Sequence, residues 1–140
     1  MQIYVSLFKW KEVSENLENK GVKLSVHAWE NSESVKFIIT LRNNTDSEKI
    51  FIFRTGQQYD IHVLNPEGKE VYRHFKDRFF TQAIEYVNFV PGETRKWEET
   101  WNYKCDGKRV EPGEYIVLVT LAGNEESVKT PIAKGRFTLS

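Results

Sequence analysis

The sequence predicts an all-β domain, an antiparallel β-sandwich of about seven to nine short strands. Two observations carry this. Apolar residues recur at every second position through much of the chain, which is the period of a strand with one wet face. Clusters of Asn, Asp, Gly, Pro and Ser interrupt these runs every 8–12 residues or so, the spacing of turns in a sandwich. The 140 residues form one domain, large enough to fold on its own core without metal or disulfide staples.

The elements follow in order. Gln2 to Lys9 reads as a strand, and Trp10 to Gly21 has helical flavour. Val13 and Leu17 are four apart, and Gly21 stands where a helix cap would. Val22, Leu24, Val26 and Ala28 alternate with polar neighbours, as do Val35, Phe37, Ile39 and Leu41. "NNTDSE" (Asn43 to Glu48) is a turn. "KIFIFR" (Lys49 to Arg54) is apolar on both faces and reads as a more buried strand. "TGQQYDIHV" (Thr55 to Val63) resumes alternation: Gln57 begins the row of Tyr59, Ile61 and Val63, while Gln58, Asp60 and His62 share the other face. "NPEGKE", "CDGKRVEPGE" and "AGNEES" are further turns, and Tyr115, Val117, Val119 and Leu121 mark another strand. Pro91-Gly92 and Pro112-Gly113 each offer the φ pair of a type II turn.

Lys plus Arg and Asp plus Glu number 20 each. A net charge near zero argues against a general binder of nucleic acid or anionic membrane, although a local basic patch stays open. The single Cys105 cannot form an internal disulfide, which leans towards a reducing compartment. "MQIYVSLFKW" lacks the basic start, apolar run and cleavage site of a signal peptide. Together these point to the cytoplasm. No apolar run is long enough to span a membrane.

Chemistry-bearing patterns are sparse. His27, His62 and His74 lie far apart, and HExxH, CxxC, GxSxG and a glycine-rich phosphate loop do not occur. No nucleophile, base and oxyanion set can be read, so no enzyme is expected and no cofactor. Asp60 and His62 share a strand face and would both reach a metal there, but an exposed polar face is the commoner meaning. Cys105 sits in a polar turn with no histidine near it in sequence, which favours a solvent-edge or semi-buried thiol over a nucleophile. Glu98 and Glu99 point to opposite faces and make no carboxylate pair. Glu99 shares its face with Trp97 and Trp101, either a sugar platform or, more commonly, core in which Glu99 needs a partner. "NNT" at Asn43 matches a glycosylation sequon.

Several stretches in fixed order resemble the intracellular proteinase inhibitor (BsuPI) family of Bacillus and related bacteria. They are "LRNNTDSEKIFIF" (Leu41 to Phe53), "TGQQYDIHVLNPEGKEVYR" (Thr55 to Arg73), "FTQA" (Phe80 to Ala83), "VPGETRKWEETW" (Val90 to Trp101) and "DGKRVEPGEYIVLVTL" (Asp106 to Leu121). The resemblance runs from about Val22 to Leu121 and leaves residues 1–21 as an N-terminal extension of a single 1–140 domain. It implies an Ig-like sandwich that inhibits an intracellular serine protease of the subtilisin type. The family tends to have a "VWxW" run after its "GK" turn, where this chain has Val71-Tyr72-Arg73-His74. If that aromatic patch meets the protease, the departure implies a different specificity or a loss of inhibition.

An inhibitor of this kind needs a braced, exposed segment with a side chain for the protease's apolar S1 pocket, because ordering a loose loop on binding subtracts from affinity. "HFKDRFFTQAIEY" (His74 to Tyr86) is the longest aromatic segment without clean alternation. The commoner meaning of such a segment is a core-crossing connection; if it is instead an exposed loop, Phe79 is the expected anchor and Phe75 the second, with Arg78 beside them, while Phe80 is expected to pack inward. Gln57, Tyr59, Asp60, Phe80, Gln82, Trp97, Trp101, Pro112, Gly113 and Tyr115 are read as structural marks of the family. Gln57 is expected to be buried, bonded to turn backbone after Gly56 or to Gln82. The alternative to an inhibitor is a non-inhibitory Ig-like interaction or carbohydrate-binding module.

Overall fold

The structure is a computed structural model that describes residues 13–14, 21–54, 56–75, 82–125 and 130–140. In chain order the strands are β1 (Val13–Ser14), β2 (Val22–Glu30), β3 (Val35–Asn43), β4 (Lys49–Phe53), β5 (Tyr59–Leu64) and β6 (Glu70–Arg73). They continue with β7 (Glu85–Phe89), β8 (Thr94–Trp101), β9 (Lys104–Cys105), β10 (Lys108–Arg109), β11 (Gly113–Leu121), β12 (Asn124–Glu125) and β13 (Ile132–Leu139). Nine of these have four residues or more, and the other four are two-residue bridges.

Two sheets make the sandwich. One has the order β2-β3-β8, the other β1-β13-β11-β5-β6, and every pairing is antiparallel. The expected alternation is what fills the space between them. Val22, Leu24, Val26 and Ala28 face inward with Val35, Phe37, Ile39 and Leu41, and meet Ile61, Val63, Val117, Val119 and Leu121 from the opposite sheet. Phe37 and Phe137 touch edge to face across the layers, with centroids 5.9 Å apart. Strand β13 was not expected from the sequence, although Ala133, Phe137 and Leu139 are buried at alternate positions.

Two expectations about elements are corrected. Val13–Ser14 is a strand pairing with Lys134 and Ala133, not part of a helix; the rest of Trp10 to Lys20 lies outside the described residues. β4 is not buried on both faces. It sits in a small sheet of order β12-β4-β7, with Phe51 and Phe53 inward and Ile50 48% exposed on the outer face. A three-stranded sheet packed on one side has a wet face whatever side chains it carries.

β3 and β4 pair with β8 and β7 as one long bent ladder, from Val35 opposite Trp101 to Phe53 opposite Glu85. The bend is held by Asn43, which is fully buried. Its amide Nδ2 donates to the carbonyls of Ser47 (2.9 Å) and Phe89 (2.8 Å). Its Oδ1 accepts from the Thr45 amide at 2.9 Å and the Thr45 hydroxyl at 2.6 Å. The nitrogen that the sequon match at Asn43 would glycosylate is sealed in this corner of the folded chain. Opposite it, Val90 to Glu93 form the expected turn: the Glu93 amide donates to the Val90 carbonyl at 3.0 Å, with Gly92 at φ 82°. Gly113 is different. It opens β11 at φ 151°, outside type II geometry, and a Cβ there would lie 2.9 Å from Pro66 Cγ. Its glycine is required by that φ and by the approach of Pro66.

Tyr103, fully buried at φ 67°, places its hydroxyl 2.7 Å from the Asn31 carbonyl and 2.8 Å from that of Ser34. Burial first, then the charge of Glu30, pushes its pKa up to about 12. The same burial raises Tyr59 and Tyr115. The folded chain then holds a proton that the unfolded chain loses near pH 10, so stability falls as pH rises from there through the folded value. Tyr103→Phe is expected to flatten that fall by about 1–2 kcal/mol between about pH 10 and 12. Urea unfolding at stepped pH measures it, and an unchanged slope would contradict it.

Candidate functional site

β5, β6 and β8 converge on residues 73–75, the root of the His74 to Tyr86 segment. β5 contributes two neighbouring side chains that point to opposite faces. Asp60 faces away from the sandwich interior, yet it is only 5% exposed, against the expectation of a wet polar row. Its Oδ1 accepts from the Ile61 amide at 2.8 Å and the Phe75 amide at 3.1 Å; its Oδ2 accepts from Arg73 Nε at 2.8 Å. His62 Nε2 lies 3.5 Å from the same Oδ2, and His62 Nδ1 lies 2.7 Å from Glu70. A buried carboxylate with charged and backbone donors is a strong local fastener. Asp60 and His62 thus hold β6, and among the described residues no cluster fit for a metal occurs.

On the inward face, Glu99 finds the partners its burial requires. The Tyr59 hydroxyl donates to its Oε2, and His74 Nε2 lies 3.2 Å from the same oxygen. The Tyr72 hydroxyl is 3.1 Å from His74 Nδ1. Every atom is satisfied if Tyr72 O–H donates to Nδ1 and Nε2–H donates to Glu99. The rings close around this chain: Tyr59 stacks on His74 at 5.8 Å, Phe75 meets His74 at 4.3 Å, and Tyr72 stacks on Trp101 at 5.2 Å. Trp97 leans on Tyr59, and its indole N–H donates to Gln58 Oε1 at 3.0 Å.

The placement of the expected residues follows. Tyr59, Trp101 and Tyr115 are buried and Trp97 is half-buried, so the tryptophans form no open platform for sugar. Tyr115 donates back to the Glu111 carbonyl and fixes the start of β11 after Pro112 and Gly113. Gln57 is half-buried rather than buried, and its Nε2 donates to the Tyr59 carbonyl at 3.3 Å, while Gln82 is exposed. Phe75 is half-buried against Tyr59 and His74 and packs inward rather than standing free as an anchor. Arg78, Phe79 and Phe80 lie outside the described residues. Where the segment re-emerges, Ile84 and Tyr86 are 64% and 67% exposed.

Glu99, His74, Arg73 and Gln58 were missed as site residues. Tyr72 and His74 are two apart and so share a strand face, a signal available in the sequence. Both are half-buried, Tyr72 against Trp101 and His74 beside Glu99, while Arg73 between them is exposed. Cys105 is half-buried, as expected, beside a cleft of about 390 Å³ that Lys69, Tyr72, Arg73 and Lys104 also line.

The family described as intracellular proteinase inhibitor (BsuPI) matches residues 22–126. No match to a curated protein sequence was found. Among solved structures, Spo0M, the sporulation control protein of Bacillus subtilis, superposes with a TM-score of 0.50 at 12% identity, over 86% of this chain and 49% of Spo0M. This chain thus spans about half the length of that protein, and the likeness is one of fold. The C-terminal domain of wzt gives a TM-score of 0.49 at 14% identity, over 96% of this chain and 80% of that domain. A penta-heme cytochrome c552 from Thermochromatium tepidum gives 0.47 at 9% identity, over 76% of this chain and 33% of the cytochrome.

Proposed function

The chain belongs to the intracellular proteinase inhibitor family, and from that premise we propose that it blocks a subtilisin-type serine protease in the cytoplasm by presenting the segment that follows Phe75. It acts by binding, without catalysis or cofactor. The observation that carries this reading is the double brace at the segment's root. The buried Asp60 holds the Phe75 amide and Arg73 from one face. Glu99 holds His74 from the other. Fixing the root before binding spares part of the ordering cost that a loose loop would incur on the protease. The far end returns as β7 with Ile84 and Tyr86 exposed, which keeps large apolar side chains available next to the proposed anchor.

Phe79 is the proposed occupant of the S1 pocket, with Arg78 next to it in sequence; Phe75 is packed on Tyr59 and His74 at the root. A large aromatic seated in a desolvated pocket is the type of residue that dominates such interfaces. Phe79→Ala is expected to weaken inhibition of a subtilisin-type protease by about 30-fold or more, the loss of at least 2 kcal/mol typical of such an anchor. Residual hydrolysis of a chromogenic peptide against inhibitor concentration measures it. Equal inhibition by the variant would remove Phe79 from the role. No inhibition by the wild-type chain at micromolar concentration, against several such proteases, would overturn the proposal.

A further inference from the structure

The outward face of the β2-β3-β8 sheet carries a charge imbalance that the chain as a whole does not have. The sequence balances 20 basic against 20 acidic residues. Strand pairing gathers Lys23, Lys36, Arg42 and Lys96 onto this one face, with Glu98 as its single acid. Glu98 lies 3.8 Å from Lys36, with both side chains about half exposed. The other three cations cluster at the opposite end. Lys23 stands directly across from Arg42, and Lys96 pairs with Thr40, two residues along β3 from Arg42. Like charges facing each other across strands destabilise a sheet. Arg42 spends its donors on neutral acceptors, namely Asn44 Oδ1 at 2.9 Å, the Gly92 carbonyl at 3.1 Å and Thr94 Oγ1 at 3.1 Å. None of those bonds offsets its charge.

We propose that this face docks an acidic protein surface, centred on Lys23, Arg42 and Lys96. The chemistry favours a protein over a nucleic acid. Hydroxyls of Ser25, Thr40 and Thr94 stand between the cations on this face. Among the described residues this face carries one large ring, Trp29 at 43% exposure, whereas single strands are held by successive stacked bases. His27 stands on the same face, in the same β2 row as Lys23. Burial, and then the neighbouring charge of Lys23, hold its imidazole below the usual range. Carboxylates brought against the face would relieve the Lys23–Arg42 repulsion and steer the encounter. The surface lies on a different sheet from residues 73–75, so the inference stands apart from the protease reading.

The test uses the full chain, labelled with nitrogen-15, and a decaglutamate peptide as the acidic probe. Amide shifts are expected along β2, β3 and β8, with affinity that falls as salt rises. The double variant Lys23→Glu/Lys96→Glu should bind at least about tenfold more weakly. Its melting temperature should not fall, because a repulsive pair has been removed. Shifts elsewhere, no binding, or equal binding by the variant would overturn the proposal. Tighter binding of a ten-residue oligothymidine, with quenching at Trp29, would overturn it in favour of a single-strand site.

Discussion

Asn43→Ala is expected to unfold about 3 kcal/mol more easily than the wild-type chain. The substitution removes one acceptor and two donors from a fully buried corner. The Phe89 carbonyl loses the Asn43 amide, the Ser47 carbonyl keeps only the Thr45 hydroxyl, and the Thr45 amide loses its acceptor. Each stranded buried group costs about 1–3 kcal/mol, less what water can recover at the Ser47 side. Backbone bonds around the corner remain: the Asn43 amide still donates to Glu93, and the Gly92 amide to Asn43, at 3.0 and 2.8 Å. The variant should therefore fold, but with a lower denaturation midpoint. Asn43→Asp is a useful second variant, because it keeps the acceptor and loses both donors. Urea unfolding followed by tryptophan fluorescence reads both, and a loss below about 1 kcal/mol for Asn43→Ala would contradict the corner's assigned role.

Asp60→Ala should lose both stability and inhibition. Its carboxylate accepts from two backbone amides and Arg73. Bonds to a charged group are worth about 1.5–3 kcal/mol each, and Arg73 is exposed enough to rehydrate. We expect a stability loss of about 2–4 kcal/mol, dominated by the stranded Ile61 and Phe75 amides. Asp60→Asn keeps an oxygen for those amides and loses the charge, so it should fall between. The inhibitor reading adds a second outcome. Releasing Phe75 unfastens the segment proposed to meet the protease, so inhibition should weaken by about tenfold or more under conditions where the variant is still folded. Full inhibition by a folded Asp60→Ala would show that the brace does not serve binding, whatever it does for stability.

The sheets were legible in the sequence because alternation is a local signal: Val22 to Ala28 and Tyr115 to Leu121 show their buried faces without help from distant residues. Polar residues were read less well. Asp60 looked wet because Gln58 and His62, which share its face, are polar, but Arg73 and the backbone of Phe75, thirteen and fifteen positions away, bond its carboxylate. Glu99 was recognised as needing a partner, yet nothing local could say that Tyr59, forty positions earlier, supplies one. Lys49 to Phe53 misled for the converse reason. Two apolar faces on a strand do not reveal that its sheet has only three strands and packs on one side. Asn43 hid behind a sequon that the packing makes irrelevant.

The double tether around residues 76–81 has a thermodynamic consequence. Upstream, the His74 amide donates to the Ile61 carbonyl and the Phe75 amide to the Asp60 carboxylate. Downstream, Glu85 is paired with Phe53. A peptide bond hydrolysed between those points yields two chain ends but not two molecules. The new amine and carboxylate stay on one folded body, at an effective concentration far above that of free peptides. The translational entropy that drives ordinary proteolysis to completion is not released. Cut and intact chain therefore lie nearer to balance, and a protease that nicks this segment gains little by doing so.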